Sequence, residues 1–102
     1  MSLLEETMAF QLKSAGIEFE REAQIIPGRK FAFDFSFPGR VLLEVQGGTF
    51  ARGRTGHSSG MGIHRDIEKS NLATLAGYRL LACDEKHVTS GQALRWVQEA
   101  LA

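Results

Sequence analysis

Two short apolar runs joined by a Pro-Gly turn constrain the fold of this chain more than any other feature. They read F-A-F-D-F-S-F at 31–37 and V-L-L-E-V-Q at 41–46, which predicts two neighbouring β-strands. Side chains of a strand alternate between its two faces. The alternation therefore puts the four phenylalanines of the first run on one face and Asp34 on the other. In the second run, Glu44 and Gln46 share a face.

Asp34 and Glu44 interrupt these apolar strands with negative charge. A carboxylate is costly to bury unless a partner compensates its charge, and a divalent cation would compensate both. This segment is therefore a candidate metal site. Two structural explanations stay open: Asp34 caps a neighbouring turn, or Glu44 pairs with a nearby cation, for which the choices are Arg29, Lys30 and Arg40.

The remaining patterns predict an α/β fold in the order helix, three strands, helix, strand, helix. The further elements are a helix opened by a Ser2/Glu5 capping box and ended by Gly16, a strand at 18–26 before Pro27 and Gly28, a helix from about 61 to 76, a strand at 78–83, and a helix opened by Thr89 and Gln92. Between them, 47–62 holds six glycines and is expected to be a flexible loop. Such a loop either orders on contact with a large partner or is disordered. A chain of 102 residues is expected to form a single domain, 1–102.

The helix predicted at 61–76 has two distinct faces. One stripe at helical spacing contains His64, Glu68, Asn71 and Leu75. Leu75 and Leu72 indicate that this side of the helix faces the core, which would point the polar first half of the stripe towards the end of the sheet. A partly buried helix with a solvated N-terminal end would show the same pattern. Asp66 and Lys69 lie on another face, where a surface ion pair is the plain explanation.

Composition argues against several classes of protein. The net charge is zero, no apolar run approaches the ~20 residues of a membrane helix, and Glu5 and Glu6 stand where a signal peptide carries positive charge. The single cysteine, Cys83, excludes an internal disulfide and a multi-cysteine zinc site. We therefore expect a cytoplasmic protein.

Positive charge nevertheless gathers around the glycine-rich loop. The candidates for contact with nucleic-acid phosphates are Arg52, Arg54, His57, His64 and Arg65. A solvated loop of mixed charge is the plainer interpretation of the same residues.

The ordered set of acidic residues resembles the PD-(D/E)XK nuclease superfamily. Members carry an acid on the first helix, an aspartate on the second strand, and Glu-x-Lys or a variant on the third. The matching residues here are Glu5 or Glu6, Asp34, and the run Glu44, Val45, Gln46. The continuation E-V-Q-G-G, then H-R-D-I-E-K-S-N and G-Y-R-L-L, is similar to the small single-domain branch of very-short-patch-repair-like endonucleases and related phage or homing-type nucleases. The resemblance implies a restriction-endonuclease-like αβββαβα core, with a mixed central sheet flanked by helices.

The resemblance also implies Mg²⁺-dependent hydrolysis of DNA phosphodiester bonds, with Mn²⁺ as a substitute metal. Asp34, Glu44 and the backbone carbonyl of Val45 would hold the metal, which lowers the pKa of a bound water and neutralises charge on the scissile phosphate. Of the two helix acids, Glu5 is the better candidate because it lies beside the apolar stripe of its helix. Its place in the capping box is a complete structural alternative.

The departure from the family pattern is Gln46, which stands where lysine is commoner. Lysine orients the attacking water and stabilises transition-state charge, whereas an amide performs only the first task. Lys69 is a candidate for a lysine moved to the next helix. His57 and Asp66 match a His and an Asp that the very-short-patch-like branch uses, with Glu68 as the alternative to Asp66.

Together these residues predict a DNA endonuclease of a prokaryotic or phage-infected cell, with no membrane association. Repair, recombination, phage DNA processing and mobile-element homing are all open as its setting. A nuclease-like module that binds nucleic acid without cutting is the alternative. A homodimer would provide two active sites for two strands, and a targeting protein would provide the recognition for which 102 residues leave little room.

Overall fold

The computed structural model describes residues 2–47 and 60–102. Within these ranges the chain forms four helices and four strands. Their bounds, in chain order, are α1 Leu3–Ser14, β1 Glu20–Ala23, β2 Phe33–Phe37, β3 Val41–Val45, α2 Gly60–Leu75, β4 Arg79–Cys83, α3 Glu85–Thr89 and α4 Gln92–Leu101. No helix in this part of the chain has both the length and the apolar character to cross a membrane.

The strands form one mixed sheet in the order β1-β2-β3-β4. β1, β2 and β3 are antiparallel neighbours, whereas β3 and β4 are parallel. A hairpin turn joins β2 to β3, and its Gly39 and Arg40 adopt φ of 85° and 61°, as tight hairpins of right-handed twist require. Parallel strands need a crossover, which α2 provides between β3 and β4.

Helices cover both faces of the sheet. On one face, α1, α3 and α4 enclose a cluster that includes Met8, Leu12 and Val97 together with Phe35 and Leu43 from the strands. On the other face, α2 packs over a smaller cluster of fully or nearly buried residues: Ile26, Phe31, Phe33, Leu42 and Ala73. This arrangement confirms the predicted α/β fold, a mixed central sheet flanked by helices.

The four phenylalanines do not share one face, contrary to the expectation from alternation. Phe31 and Phe33 are buried beside α2, whereas Phe35 and Phe37 are buried beside α1 and α4. The pairing of β2 with β3 covers Phe35–Phe37 and stops before Asp34. Pairing with β1 continues in register to Phe33, opposite Ala23, so the change of cluster coincides with the end of the ladder between β2 and β3 and not with the end of β2.

The C-terminal helical region also differs from the prediction. Asp84 and His87 form a reciprocal capping box that starts α3, with the His87 N–H donating to Asp84 Oδ1 at 3.2 Å and the Asp84 N–H donating to His87 Nδ1 at 3.0 Å. Thr89 is the last residue of this short helix rather than a cap. α4 begins after Gly91, whose φ is 84°. An Asp/His pair replaces the usual Ser/Thr and Glu/Gln of a capping box, which is why the pattern was missed.

The predicted orientation of α2 is wrong. Leu75 is 82% exposed, and His64 and Asn71 are exposed as well. The face that meets the sheet instead carries Lys69 and Ala73. Alanine lets the helix backbone approach Leu42 closely, and a lysine stem covers apolar surface while its ammonium reaches a polar partner.

Candidate functional site

Asp34 and Glu44 meet where β2 and β3 separate. The Asp34 N–H donates to Glu44 Oε2 at 3.2 Å, and the Val45 N–H donates to Asp34 Oδ2 at 2.7 Å. The two carboxylates thus accept backbone N–H groups just beyond the last regular pair, Phe35 with Leu43. Both side chains are half-buried, and the structure brings together the two acids that the sequence placed on adjacent strands.

The structural alternatives suggested by the sequence take other forms. Arg29 pairs with Glu68 at 3.0 Å, and Arg40 donates to the carbonyl of Ala76 at 2.8 Å, so neither is the partner of Glu44. Asp34 bonds across to the next strand instead of capping a turn.

The cation that pairs with Glu44 is Lys69. Its Nζ lies 3.0 Å from Glu44 Oε2, and the two side chains are only 19% and 18% exposed. The same ammonium sits 4.6 Å from the centroid of the Phe33 ring. Lys69 therefore lies on the inward face of α2, beside the carboxylates. Its ion pair is with Glu44 and not with Asp66.

Two further acids approach Asp34 from the other side. Carboxylate oxygens of Glu5, Glu22 and Asp34 all lie within 4.8 Å of one another. Glu6, in contrast, points to Arg21, with 3.0 Å between its Oε2 and Arg21 Nη1. The structure thus places Glu5 rather than Glu6 beside Asp34.

Glu5 reaches this cluster although its backbone takes part in the helix cap. Its N–H donates to the hydroxyl of Ser2 at 3.1 Å, while its carboxylate lies 3.8 Å from Arg21 Nη2. Glu22 is not among the residues that the sequence suggested for this site. The available signal was its position on the predicted strand before Asp34, but its left-handed backbone, with φ of 51°, has no sequence signature.

The electrostatics of the site favour a bound cation. Burial raises the pKa of Asp34, Glu44 and Glu5 from the ordinary carboxyl value, and repulsion from Asp34 raises the pKa of Glu44 and Glu5 further. Lys69 lowers the pKa of Asp34 and of Glu44 without cancelling the effect of burial. Negative charge at this point is therefore only partly compensated by the protein.

The donor set also suits a hard divalent cation. Carboxylate oxygens are the ligands of Mg²⁺ and Ca²⁺ at roughly 2.0–2.6 Å, so oxygens up to about 5 Å apart reach one ion. The bonds described for Glu44 both end on Oε2 and that of Asp34 ends on Oδ2. Each carboxylate keeps a second oxygen that these bonds do not use. The carbonyl of Val45 accepts the Gly47 N–H at 3.1 Å and has a second lone pair.

Two cavities adjoin the acids on the α2 side. The larger, of about 650 Å³, lies between 30–32 and the first half of α2. The smaller, of about 250 Å³, includes Glu44 in its wall. Gln46, Asp66 and Lys69 line both cavities, so three of the sequence candidates border the acids.

The nucleic-acid candidates divide into three groups. Arg65 lines the larger cavity, whereas His64 lies on the exposed side of α2 and borders neither cavity. Arg52, Arg54 and His57 fall outside the described residues.

Comparisons with known proteins identify the type of fold. No protein-family model matches the chain, and no curated protein matches it by sequence. Among solved structures, the chain is similar to the catalytic domain of the homing endonuclease I-Bth0305I, with a TM-score of 0.69 and 14% identity. The match covers 97% of this chain and 93% of that domain. A nuclease catalytic domain thus has this fold, as the sequence predicted.

Proposed function

We propose that this chain is a metal-dependent endonuclease that hydrolyses DNA phosphodiester bonds, with a site of the PD-(D/E)XK type. The observation that carries the proposal is the pair Asp34 and Glu44, held side by side at the end of two strands with Lys69 against Glu44. Similarity of fold to a homing endonuclease catalytic domain supports it.

In this proposal Asp34, Glu44 and the carbonyl of Val45 hold Mg²⁺ or Mn²⁺. Glu5 lies within 4.8 Å of Asp34 and completes the site or holds a second ion, and Glu22 becomes an additional candidate for the same reason. The metal supplies positive charge for the phosphate and activates water as a nucleophile. The chemistry of the donor set supports metal dependence, since oxygen ligands whose charge is only partly compensated are typical of such sites.

Lys69 takes the part of the family's strand lysine. Its ammonium, 3.0 Å from Glu44, is placed to stabilise charge that develops on a phosphate bound at that carboxylate. Gln46 lines the adjoining cavities and contributes an amide that orients water. Asp66 lines the same cavities and is a candidate base, with His57 as its proposed partner.

The proposed substrate requires a surface beyond the metal site. Arg52, Arg54, His57 and Arg65 are proposed to follow the DNA backbone. A homodimer or a separate targeting protein would supply the second active site or the sequence recognition.

Cleavage assays test the proposal directly. Plasmid, branched and single-stranded DNA are incubated with the protein and Mg²⁺ or Mn²⁺, and Asp34→Ala is compared with wild type. We expect cleavage to fall at least about a hundredfold, because the loss of roughly 3 kcal/mol of transition-state stabilisation has that effect.

Two variants make this comparison specific. Asp34→Asn keeps an acceptor for the Val45 N–H and removes the charge, so it should be folded and equally inactive. Glu18→Gln removes an exposed carboxylate that belongs to neither the metal site nor its cavities and should cleave as wild type does. Equal cleavage by wild type and Asp34→Ala would contradict the proposal.

A second candidate function is nucleic-acid binding without cleavage. The observation that favours it is that Asp34 and Glu44 each accept a backbone N–H and Glu44 pairs with Lys69, contacts that stabilise the sheet without a metal. Calorimetric titration with Mn²⁺ separates the two functions. DNA binding without metal binding at Asp34 and Glu44 would favour a protein that binds nucleic acid without cutting it.

A further inference from the structure

The larger cavity beside the acids has the size and position of a ligand site. Its volume of about 650 Å³ falls within the roughly 300–1,000 Å³ typical of such sites. One wall is the segment 30–32 before β2, and the other is the first half of α2. Gln46 and Lys69 line this cavity and also the smaller one that contains Glu44, so the two cavities are adjacent and the smaller one reaches Glu44.

The charge of this cavity is mainly positive. Lys30, Arg65 and Lys69 line it against a single acid, Asp66. Lys69 is paired with Glu44, which leaves Lys30 and Arg65 as the exposed cations of the outer part. A cleft with positive charge on both walls attracts an anionic chain.

Arg65 is supported by an aromatic platform. Its guanidinium lies 5.5 Å from the centroid of Phe31, whose ring is only 6% exposed. Arg29 approaches the same ring at 4.6 Å, but its guanidinium forms an ion pair with Glu68 at 3.0 Å. This cation–π contact favours a position of the Arg65 guanidinium beside the cavity, where it is available to a phosphate.

We propose that this cavity is a DNA-backbone subsite, in which Lys30 and Arg65 bind phosphates of the strand on one side of the bond held at Asp34 and Glu44. Its place next to the reacting phosphate rests on the proposed nuclease function. The cationic walls, the volume and the continuity through Lys69 carry the assignment of an anionic polymer. Lys30 was not among the residues that the sequence suggested for this role.

Salt dependence of DNA binding tests the subsite. Binding of a fluorescent duplex of about 20 base pairs is measured by anisotropy between roughly 50 and 200 mM salt, once with Ca²⁺ in place of Mg²⁺ and once with EDTA. Lys30→Ala and Arg65→Ala should each raise Kd about two- to tenfold. Each should also reduce the magnitude of the slope of log K against log salt by about 0.9, because each removes one phosphate contact.

Matched variants separate local contact from general charge. Arg65→Lys keeps the charge and should keep the wild-type slope. Lys13→Ala removes an exposed cation of α1, which packs on the opposite face of the sheet, and should leave Kd and slope unchanged. Far-UV circular dichroism checks that each variant is folded, which is expected because Lys30 and Arg65 are exposed.

Three results would overturn the subsite: a wild-type slope for either Lys30→Ala or Arg65→Ala, no DNA binding by wild type in either buffer, or equal binding of polyglutamate with the same dependence on these residues. The last result would assign the cavity to an acidic polypeptide. Failure of the nuclease function is distinct. If DNA binding depends on Lys30 and Arg65 but no cleavage occurs, the nuclease function is wrong and the subsite stands. If cleavage depends on Asp34 but both variants keep the wild-type slope, the nuclease function stands and the subsite is wrong.

Discussion

Asp34 and Glu44 serve two purposes at once. Their oxygens accept backbone N–H groups where the ladder between β2 and β3 ends, so they stabilise the place where the strands separate. Burial raises the pKa of each, and a neighbouring carboxylate raises it further: Glu22 beside Asp34, and Asp34 beside Glu44. Buried groups with perturbed pKa values are typical of functional sites because function requires an arrangement that stability alone would not select.

Removal of the charge of Asp34 should stabilise the metal-free protein at neutral pH. Because its folded pKa is raised above the usual 3.8, the stability contributed by the protonated form is complete below that value and is lost as pH rises through the folded pKa. Asp34→Asn escapes this loss and still accepts the Val45 N–H. Urea unfolding in EDTA at several pH values from about 4 to 7 should show an advantage over wild type that grows with pH.

Glu18→Gln is the control for this experiment, since it removes an exposed charge and should change stability by less than about 0.5 kcal/mol. If Asp34→Asn is less stable than wild type at pH 7, the hydrogen bond to Val45 outweighs the charge effect and the electrostatic interpretation is wrong.

At the scale of elements, α2 and α3 illustrate how packing selects among sequence patterns. α2 carries two stripes, and the one with Ala73 and Lys69 faces the sheet although the other ends in a leucine. α3 has only five residues, too few for a stable helix alone. It depends on the Asp84 cap and on Val88, which is fully buried against the core.

Asp84→Ala should therefore destabilise the protein. The loss of a side-chain cap costs about 1 kcal/mol, which lowers Tm by roughly 4–8 °C in a domain of this size. Thr89→Ala is the matched control. Its hydroxyl makes one long contact, 3.5 Å to the carbonyl of Lys86, and its loss should cost less than about 0.5 kcal/mol. Calorimetry measures the Tm of both variants. If Tm falls more for Thr89→Ala than for Asp84→Ala, this account of the cap is wrong.

At the scale of the whole molecule, the sheet order brings acids of four elements close together. α1 contributes Glu5, β1 contributes Glu22, and β2 and β3 contribute Asp34 and Glu44. A ligand that binds all of them would link both layers of helices to the sheet, because Lys69 of α2 contacts Glu44 from the other side. Metal binding and global stability should consequently be coupled.

Mn²⁺ or Mg²⁺ should raise the Tm of the protein, and EDTA should reverse the change. Free metal at one hundred times its Kd adds about 2.7 kcal/mol, which corresponds to a rise in Tm of roughly 10 °C or more. The double variant Asp34→Asn, Glu44→Gln should show no rise in a thermal-shift titration. An equal rise in wild type and double variant would place the metal elsewhere.

The sequence by itself determined the strands around 31–46, the helices α1 and α2, the α/β class and the pairing of Asp34 with Glu44. These features depend on local periodicity, caps and turn residues, which are written in consecutive positions. Tertiary structure alone decided the inward face of α2, the contact of Lys69 with Glu44 and the position of Glu22 beside Asp34. Each of these depends on which of several local patterns buries more apolar surface and on where the ladder between β2 and β3 stops, and residues distant in the chain settle both.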